Sequence, residues 1–200
     1  MNSLRLKSIN PKNNKIIHSW DVPSQNEIKS IINNARIAQG DWGPLKLDSK
    51  LRFIDSLVSI IKEKSKELSI LMADEIGKPL SQGKAEIDKC VWLCDYYNQN
   101  AKNILNDKNI ETEYLKSYVS FQPIGLVLGV MPWNFPYWQV IRFAIPSLIA
   151  GNGILLKHAS NVQGCANAIE ACFLEAGFPN YTFKNLQIPS NMVDNIIENN

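Results

Sequence analysis

Through the first hundred positions apolar residues recur at helical spacing; after that they gather into short uninterrupted runs. Ser24-Gln25-Asn26-Glu27 has the form of a capping box, with Ser at the N-cap and Glu three residues on. It predicts a helix with Ile28, Ile31, Ile32 and Ala35 on one face, stopping near Gly40. Asp41-Trp42-Gly43-Pro44 then reads as a loop. Leu51, Ile54, Leu57, Val58, Ile61, Leu68 and Leu71 place a second helix from after Asp48 to Gly77-Lys78-Pro79. A third, over 81–105, carries Ile87, Val91, Leu93, Cys94 and Tyr97. Ahead of all three, residues 8–22 read as extended segments around the turn cluster Asn10-Pro11-Lys12-Asn13-Asn14.

The pattern then changes. Residues 114–122, with Tyr114, Tyr118, Val119 and Phe121, predict a strand. The run GLVLGVM over 125–131 is expected to be a parallel strand buried on both faces. A helix over 138–150, a strand over 154–157, a helix over 162–176 and a strand over 181–188 follow, with the start of another helix at 191–198. This alternation is βαβαβ, so the fold class is α/β, with N-terminal helices and a parallel Rossmann-like sheet. Three such strands leave apolar faces and an edge without partners, so the sheet is expected to be incomplete and the sequence to continue beyond Asn200. The units are 1–113, largely helical; 114–124, a strand and linker; and 125–200, the βαβαβ part.

Composition narrows the function classes. Of the 200 residues 45% are hydrophobic and 20% charged, ordinary for a globular chain. A net charge of +2 with no polybasic stripe argues against nucleic acid and anionic membrane as partners. The opening residues lack the apolar run of a signal peptide, and no apolar stretch is long enough to span a bilayer, so a cytoplasmic location is expected. Cys90 and Cys94 are spaced i, i+4, and Cys165 and Cys172 i, i+7; each pair lies on one helical face and is expected to be buried thiol. No ligand set with zinc spacing is present, so no metal is expected. Phosphate-loop, GxGxxG, HExxH and GxSxG motifs are absent. Of the two histidines, His18 lies in a polar segment and reads as a surface residue. Lys78, Glu75, Glu86 and Asp88 read as structural, and neither Glu170 nor Glu175 is marked as a general base.

Two segments end predicted strands and carry chemistry: Met131-Pro132-Trp133-Asn134-Phe135-Pro136 and Leu155-Leu156-Lys157-His158-Ala159-Ser160. Ligands of open α/β sheets bind at the carboxyl ends of strands. The prolines around Asn134 restrict the loop and favour a fixed side-chain direction, suited to an amide donor. A turn asparagine between prolines is the alternative. Together with Glu75-Ile76-Gly77-Lys78-Pro79, these segments resemble the N-terminal portion of the aldehyde dehydrogenase family, and among its members most resemble bacterial succinate-semialdehyde dehydrogenases. The resemblance covers essentially the whole chain.

The resemblance implies a set of roles. Asn134 donates to the thiohemiacetal oxyanion. Met131, Pro132, Trp133, Lys157 and Ser160 contact the cofactor, NADP or NAD, with Lys157 at the adenosine ribose. Ser160 stands where NAD-preferring members often carry glutamate and so leans towards NADP; it can equally be a helix N-cap. Lys157 can equally snorkel to solvent. Arg142, eight residues after Asn134, matches an arginine that binds the carboxylate of succinate semialdehyde; a structural ion-pairing role is the alternative. Trp138 lines the substrate tunnel or simply packs. His158 replaces the more usual proline after the lysine. Residues 114–124 resemble part of the oligomerisation region, which implies a homo-oligomer, and the flanking units resemble the cofactor-binding domain. The nucleophilic cysteine, the glutamate base and a Gly-Ser cofactor loop would lie beyond Asn200, so this chain is expected to be inactive alone. A non-catalytic fragment that binds nucleotide or associates with other subunits is the alternative.

Overall fold

The computed structural model describes residues 4–198; the chain end at Asn200, where continuation is expected, lies outside them. An antiparallel pair, β1 (Arg5–Ile9) and β2 (Ile16–Asp21), precedes four helices: α1 (Gln25–Trp42), α2 (Leu47–Glu63), α3 (Ser65–Ile76) and α4 (Leu80–Leu105). A two-residue ribbon, β3 (Lys108–Asn109) with β4 (Tyr118–Val119), leads into the α/β unit. That unit is β5 (Leu126–Met131), α5 (Trp138–Ile149), β6 (Gly153–His158), α6 (Gln163–Glu175), β7 (Phe183–Asn185) and α7 (Val193–Glu198), with single 3-10 turns at Ser160–Val162 and Ser190–Met192. The sheet is parallel, in the order β5-β6-β7.

Helix α1 starts as its sequence dictates. The Ser24 hydroxyl accepts from the Glu27 N–H, and the Glu27 carboxylate accepts from the Ser24 N–H at 2.7 Å. It runs through Gly40 to Trp42, whose indole donates to the Leu148 carbonyl at 2.8 Å. That tertiary bond and the burial of the Trp42 ring carry the helix past the expected stop.

Where one long helix was expected over 48–77 there are two, hinged at Lys64 (φ −85°, ψ 4°). Between Ile61 and Leu68 every residue is polar, so no apolar face holds the helices in line there, and each packs its own stripe against α4 and α6. No Gly or Pro marks the hinge. The end of α3 is marked: Gly77 takes the left-handed φ of 69° and closes it as a C-cap.

The strand expected over 114–122 shrinks to β4, and its neighbours Tyr114, Leu115 and Phe121 are exposed. A two-stranded ribbon with no layer behind it gains little from extension. The strand expected over 181–188 is confined to β7, since Tyr181 takes a positive φ of 67° and Ile188 already bonds back to the Leu186 carbonyl.

Two cores flank the sheet. Ile154 and Leu156 of β6 face the larger one, shared with α2 to α6; Leu155 faces the smaller one, with Ile28, Ile32 and Ala35 of α1 and Ile196 of α7. This alternation is the strand period of two. β6, at the centre, is buried along its whole length. β5 is not: among its residues only Gly129 is buried, and Val130 is 52% exposed, because β5 lies at the sheet edge among the described residues. Gly129 is required by packing, since a Cβ there would meet the Phe143 ring at 2.5 Å.

Candidate functional site

Parallel pairing puts the two marked segments side by side. Val130 is in register with Lys157, and Met131 with His158, so the loop leaving β5 and the loop leaving β6 emerge together at the carboxyl edge of the sheet. A cleft of about 430 Å³ lies elsewhere, with Glu27, Glu170, Lys184 and Asn185 in its wall.

Asn134 sits at the tip of the first loop and is exposed. Among the described residues its side-chain amide donates to nothing, while its backbone carbonyl accepts from Lys78 Nζ at 3.0 Å. Pro132, Trp133 and Phe135 beside it are exposed, and Met131 is half-buried. Trp138 opens α5, with Lys89 Nζ 4.1 Å over its ring. Arg142 lies one turn further along α5, on the same side of the helix. It is exposed, and its Nη2 donates to Gln139 Oε1 at 2.9 Å rather than to a carboxylate.

Lys157 ends β6 with its side chain buried rather than snorkelled to solvent, 2% exposed. Its ammonium donates to the Ser190 hydroxyl at 2.8 Å, and no carboxylate pairs with it among the described residues. Desolvation lowers its pKa. An ammonium has three donors, so this is a buried cation short of partners at a strand end. Ser160 is half-buried at the start of the following turn, where Ala159 holds the cap position and makes no side-chain cap bond; Val162 caps α6 in the same bare fashion. Ser160 is therefore not an N-cap.

Between these two loops stands His158, fully buried. Its Nδ1 accepts the Ala159 N–H at 2.8 Å, which leaves Nε2 protonated to donate to the Pro136 carbonyl at 2.9 Å. Burial pushes its pKa down from 6.5 to about 4, so it is neutral.

The residues read as structural do more than fill space. Glu86, 4% exposed, accepts from the N–H groups of Tyr137 and Trp138 at 2.8 and 2.9 Å, and its other oxygen is ion-paired with Lys78. Glu75, 2% exposed, accepts from Gly164 and Cys165 at 2.9 and 2.8 Å. These carboxylates occupy the first amides of α5 and α6, the positions at which a Rossmann-type helix would ordinarily hold a pyrophosphate. A phosphate bound by this chain must therefore find other donors. Nothing in the local sequence of α5 or α6 announces these caps; the clustering of Glu75, Lys78 and Glu86 around the α3–α4 turn is the one signal available. Asp88 and Glu175 make exposed pairs with Lys84 and Lys64, and Glu170 accepts from the Asn185 N–H and pairs with Lys184.

All four cysteines are buried. Burial drives every thiol pKa up: Cys94 to about 12, Cys172 to about 11, and Cys90 and Cys165 well above the ordinary value. Among the described residues no three His, Cys, Asp or Glu side chains are grouped to hold a metal, and no helix is long and apolar enough to cross a membrane.

Residues 1–200 match the aldehyde dehydrogenase family. A probable NADP(+) succinate-semialdehyde dehydrogenase of Synechocystis is 37% identical over 92% of this chain and 41% of its own length. The NAD(P)+ succinate semialdehyde dehydrogenase Sad of Escherichia coli K12 is 32% identical over 96% of this chain and 41% of its own. The crystal structure of a succinic semialdehyde dehydrogenase from Streptococcus pyogenes in complex with NADP+ superposes with a TM-score of 0.92 at 28% identity, over 96% of this chain and 42% of that one. The chain thus spans about two fifths of the length of the curated relatives it matches.

Proposed function

The chain belongs to the aldehyde dehydrogenase family, and on that premise we propose that the protein carrying it oxidises succinate semialdehyde, or a similar acidic aldehyde, to the acid through a cysteine thiohemiacetal. The observation that carries this reading is one juxtaposition. Among the described residues the Asn134 amide, in the loop leaving β5, has no acceptor, and Lys157, at the end of the neighbouring β6, is buried with no carboxylate partner.

Asn134 directs its N–H to the oxygen that becomes negative as a thiolate adds to the aldehyde. A donor so placed contributes roughly 3–4 kcal/mol to lowering the barrier. Lys157 offers its spare donors to the ribose of a dinucleotide, with Met131, Pro132 and Trp133 along the same edge. Its burial without an anion fits such a group, and the dinucleotide, when bound, supplies the hydride acceptor. Ser160 puts a hydroxyl rather than a carboxylate nearby, which does not repel a 2′-phosphate and favours NADP over NAD. Arg142, engaged among the described residues by the Gln139 amide and by no carboxylate, is available for the substrate carboxylate, with Trp138 one turn before it on the same side of α5.

All four thiols of this chain are buried and burial raises their pKa, which supports a nucleophile supplied from elsewhere in the protein. We therefore read residues 1–113 and 125–200 as part of a cofactor-binding domain, and the chain by itself as catalytically incomplete. Residues 114–124 suit subunit association in a homo-oligomer: Tyr114, Leu115, Tyr118, Phe121 and Ile124 leave an apolar surface exposed around the β3–β4 ribbon. That surface is also what favours the second reading, a non-catalytic associating fragment.

The test is aldehyde oxidation by the protein as its gene encodes it. Arg142→Ala should raise KM for succinate semialdehyde at least about tenfold, the loss of one charged hydrogen-bonded contact, and leave butanal unaffected. Equal effects on both aldehydes would remove the carboxylate role.

A further inference from the structure

The loop that carries Asn134 is gripped by its backbone from three other parts of the chain. Lys78 Nζ donates to the Asn134 carbonyl at 3.0 Å and lies 4.0 Å over the Phe135 ring. His158 Nε2 donates to the Pro136 carbonyl at 2.9 Å. Glu86 takes the Tyr137 and Trp138 N–H groups and, through its second oxygen, holds Lys78. Two carbonyls and two amides between residues 134 and 138 are thus bound to three buried or half-buried side chains. We propose that Lys78, Glu86 and His158 are positioning residues that fix the direction of the Asn134 amide.

Capping of α5 alone does not account for the arrangement. A helix N-terminus needs acceptors, and Glu86 supplies them. Lys78 and His158 instead donate to carbonyls upstream of the helix, which capping does not require. Neither proline restrains the Asn134 carbonyl directly, and the loop is exposed, so its tip would otherwise be free to move in solvent. An oxyanion donor loses its value if it must reorganise as the charge develops, and a misplacement on the order of 1 Å costs about a hundredfold in rate. The clamp supplies rigidity where the two prolines leave off. It also gives a definite role to His158, whose ring ties the first loop to the end of β6.

The proposal rests on the oxyanion reading of Asn134, and the test separates the two. In the protein as its gene encodes it, Asn134→Ala should lower kcat by about 10²–10³-fold. Lys78→Met should lower kcat by about 10–100-fold, with KM for aldehyde and Kd for NADP+ within about twofold, as for loss of an interaction made only in the transition state. Lys78→Arg, which keeps a donor, should recover most of the loss. Lys78→Met added to Asn134→Ala should cost little more, since the amide it positions is gone. An additive loss in the double variant, or a folded Lys78→Met protein with unchanged kcat, overturns the clamp. Unchanged kcat in Asn134→Ala overturns the oxyanion reading itself. Should Lys78→Met not fold, His158→Gln against His158→Leu repeats the comparison at the other end of the loop, one variant keeping a donor for the Pro136 carbonyl and the other losing it.

Discussion

The first turns of α5 and α6 are built alike and used differently. Each follows a strand of the parallel sheet, and each has its leading amides filled by a buried glutamate from the helical layer, Glu86 for α5 and Glu75 for α6. At α6 the arrangement stops with the cap: no lysine pairs with Glu75 among the described residues. At α5 the carboxylate also holds Lys78, and through it the carbonyl of Asn134. One junction closes a helix; the other closes a helix and braces the loop that precedes it. The added cation is what extends a helix cap to the loop that carries Asn134.

The largest expected effect breaks that symmetry directly. Glu86→Gln strands a nearly buried ammonium and should cost about 3–5 kcal/mol. Glu75→Gln leaves one backbone N–H without an acceptor and should cost about 1–3 kcal/mol. Urea midpoints of the two variants measure the gap, and equal losses would mean that Lys78 adds nothing at α5.

Next comes acid sensitivity, which only the α5 junction has through a histidine. His158 is depressed from 6.5 to about 4 in the folded chain, so below 6.5 the unfolded state binds the proton more readily. Its contribution is therefore fully present above pH 6.5 and is lost as pH falls through about 4, to the extent of roughly 3 kcal/mol. Unfolding free energy followed from pH 7 to 4 should show this slope in the native protein, and His158→Gln should flatten it. A slope that persists in the variant would assign the acid sensitivity to other groups.

The smallest effect calibrates the other two. The cap of α1 is local and exposed, so Ser24→Ala should cost only about 1 kcal/mol in thermal or urea unfolding. A loss as large as that of Glu75→Gln would remove the distinction between local and long-range caps.

How much of this was legible follows the same division. The capping box of α1, the Gly77 end of α3 and the βαβαβ order could all be read in advance, because each depends on residues a few positions apart and on the strand and helix periods. So could the placement of Asn134 and Lys157 at the ends of neighbouring strands and of Arg142 on the helix between them, through the motifs around them. The hinge at Lys64 could not, since it comes from two helices packing separate faces across a polar stretch with no breaker in it. Nor could the short β4, which has no layer behind it, or the short β7, which the positive φ of Tyr181 and the turn at Ile188 confine. Glu75 and Glu86 looked like ordinary helix glutamates.

The sequence by itself determined most of the elements, the βαβαβ order and the residue types at the two strand ends. Only the tertiary structure decided that Glu86 lies on an amide 51 positions away and Glu75 on one 89 positions away, that Lys157 is buried with no anion beside it among the described residues, and that His158 is neutral and ties two loops together. The physical reason is range. Helix and strand periods and caps are set by neighbours in the chain. Desolvation of a cation, occupation of a distant helix end and a histidine's tautomer depend on which groups packing brings within hydrogen-bonding distance.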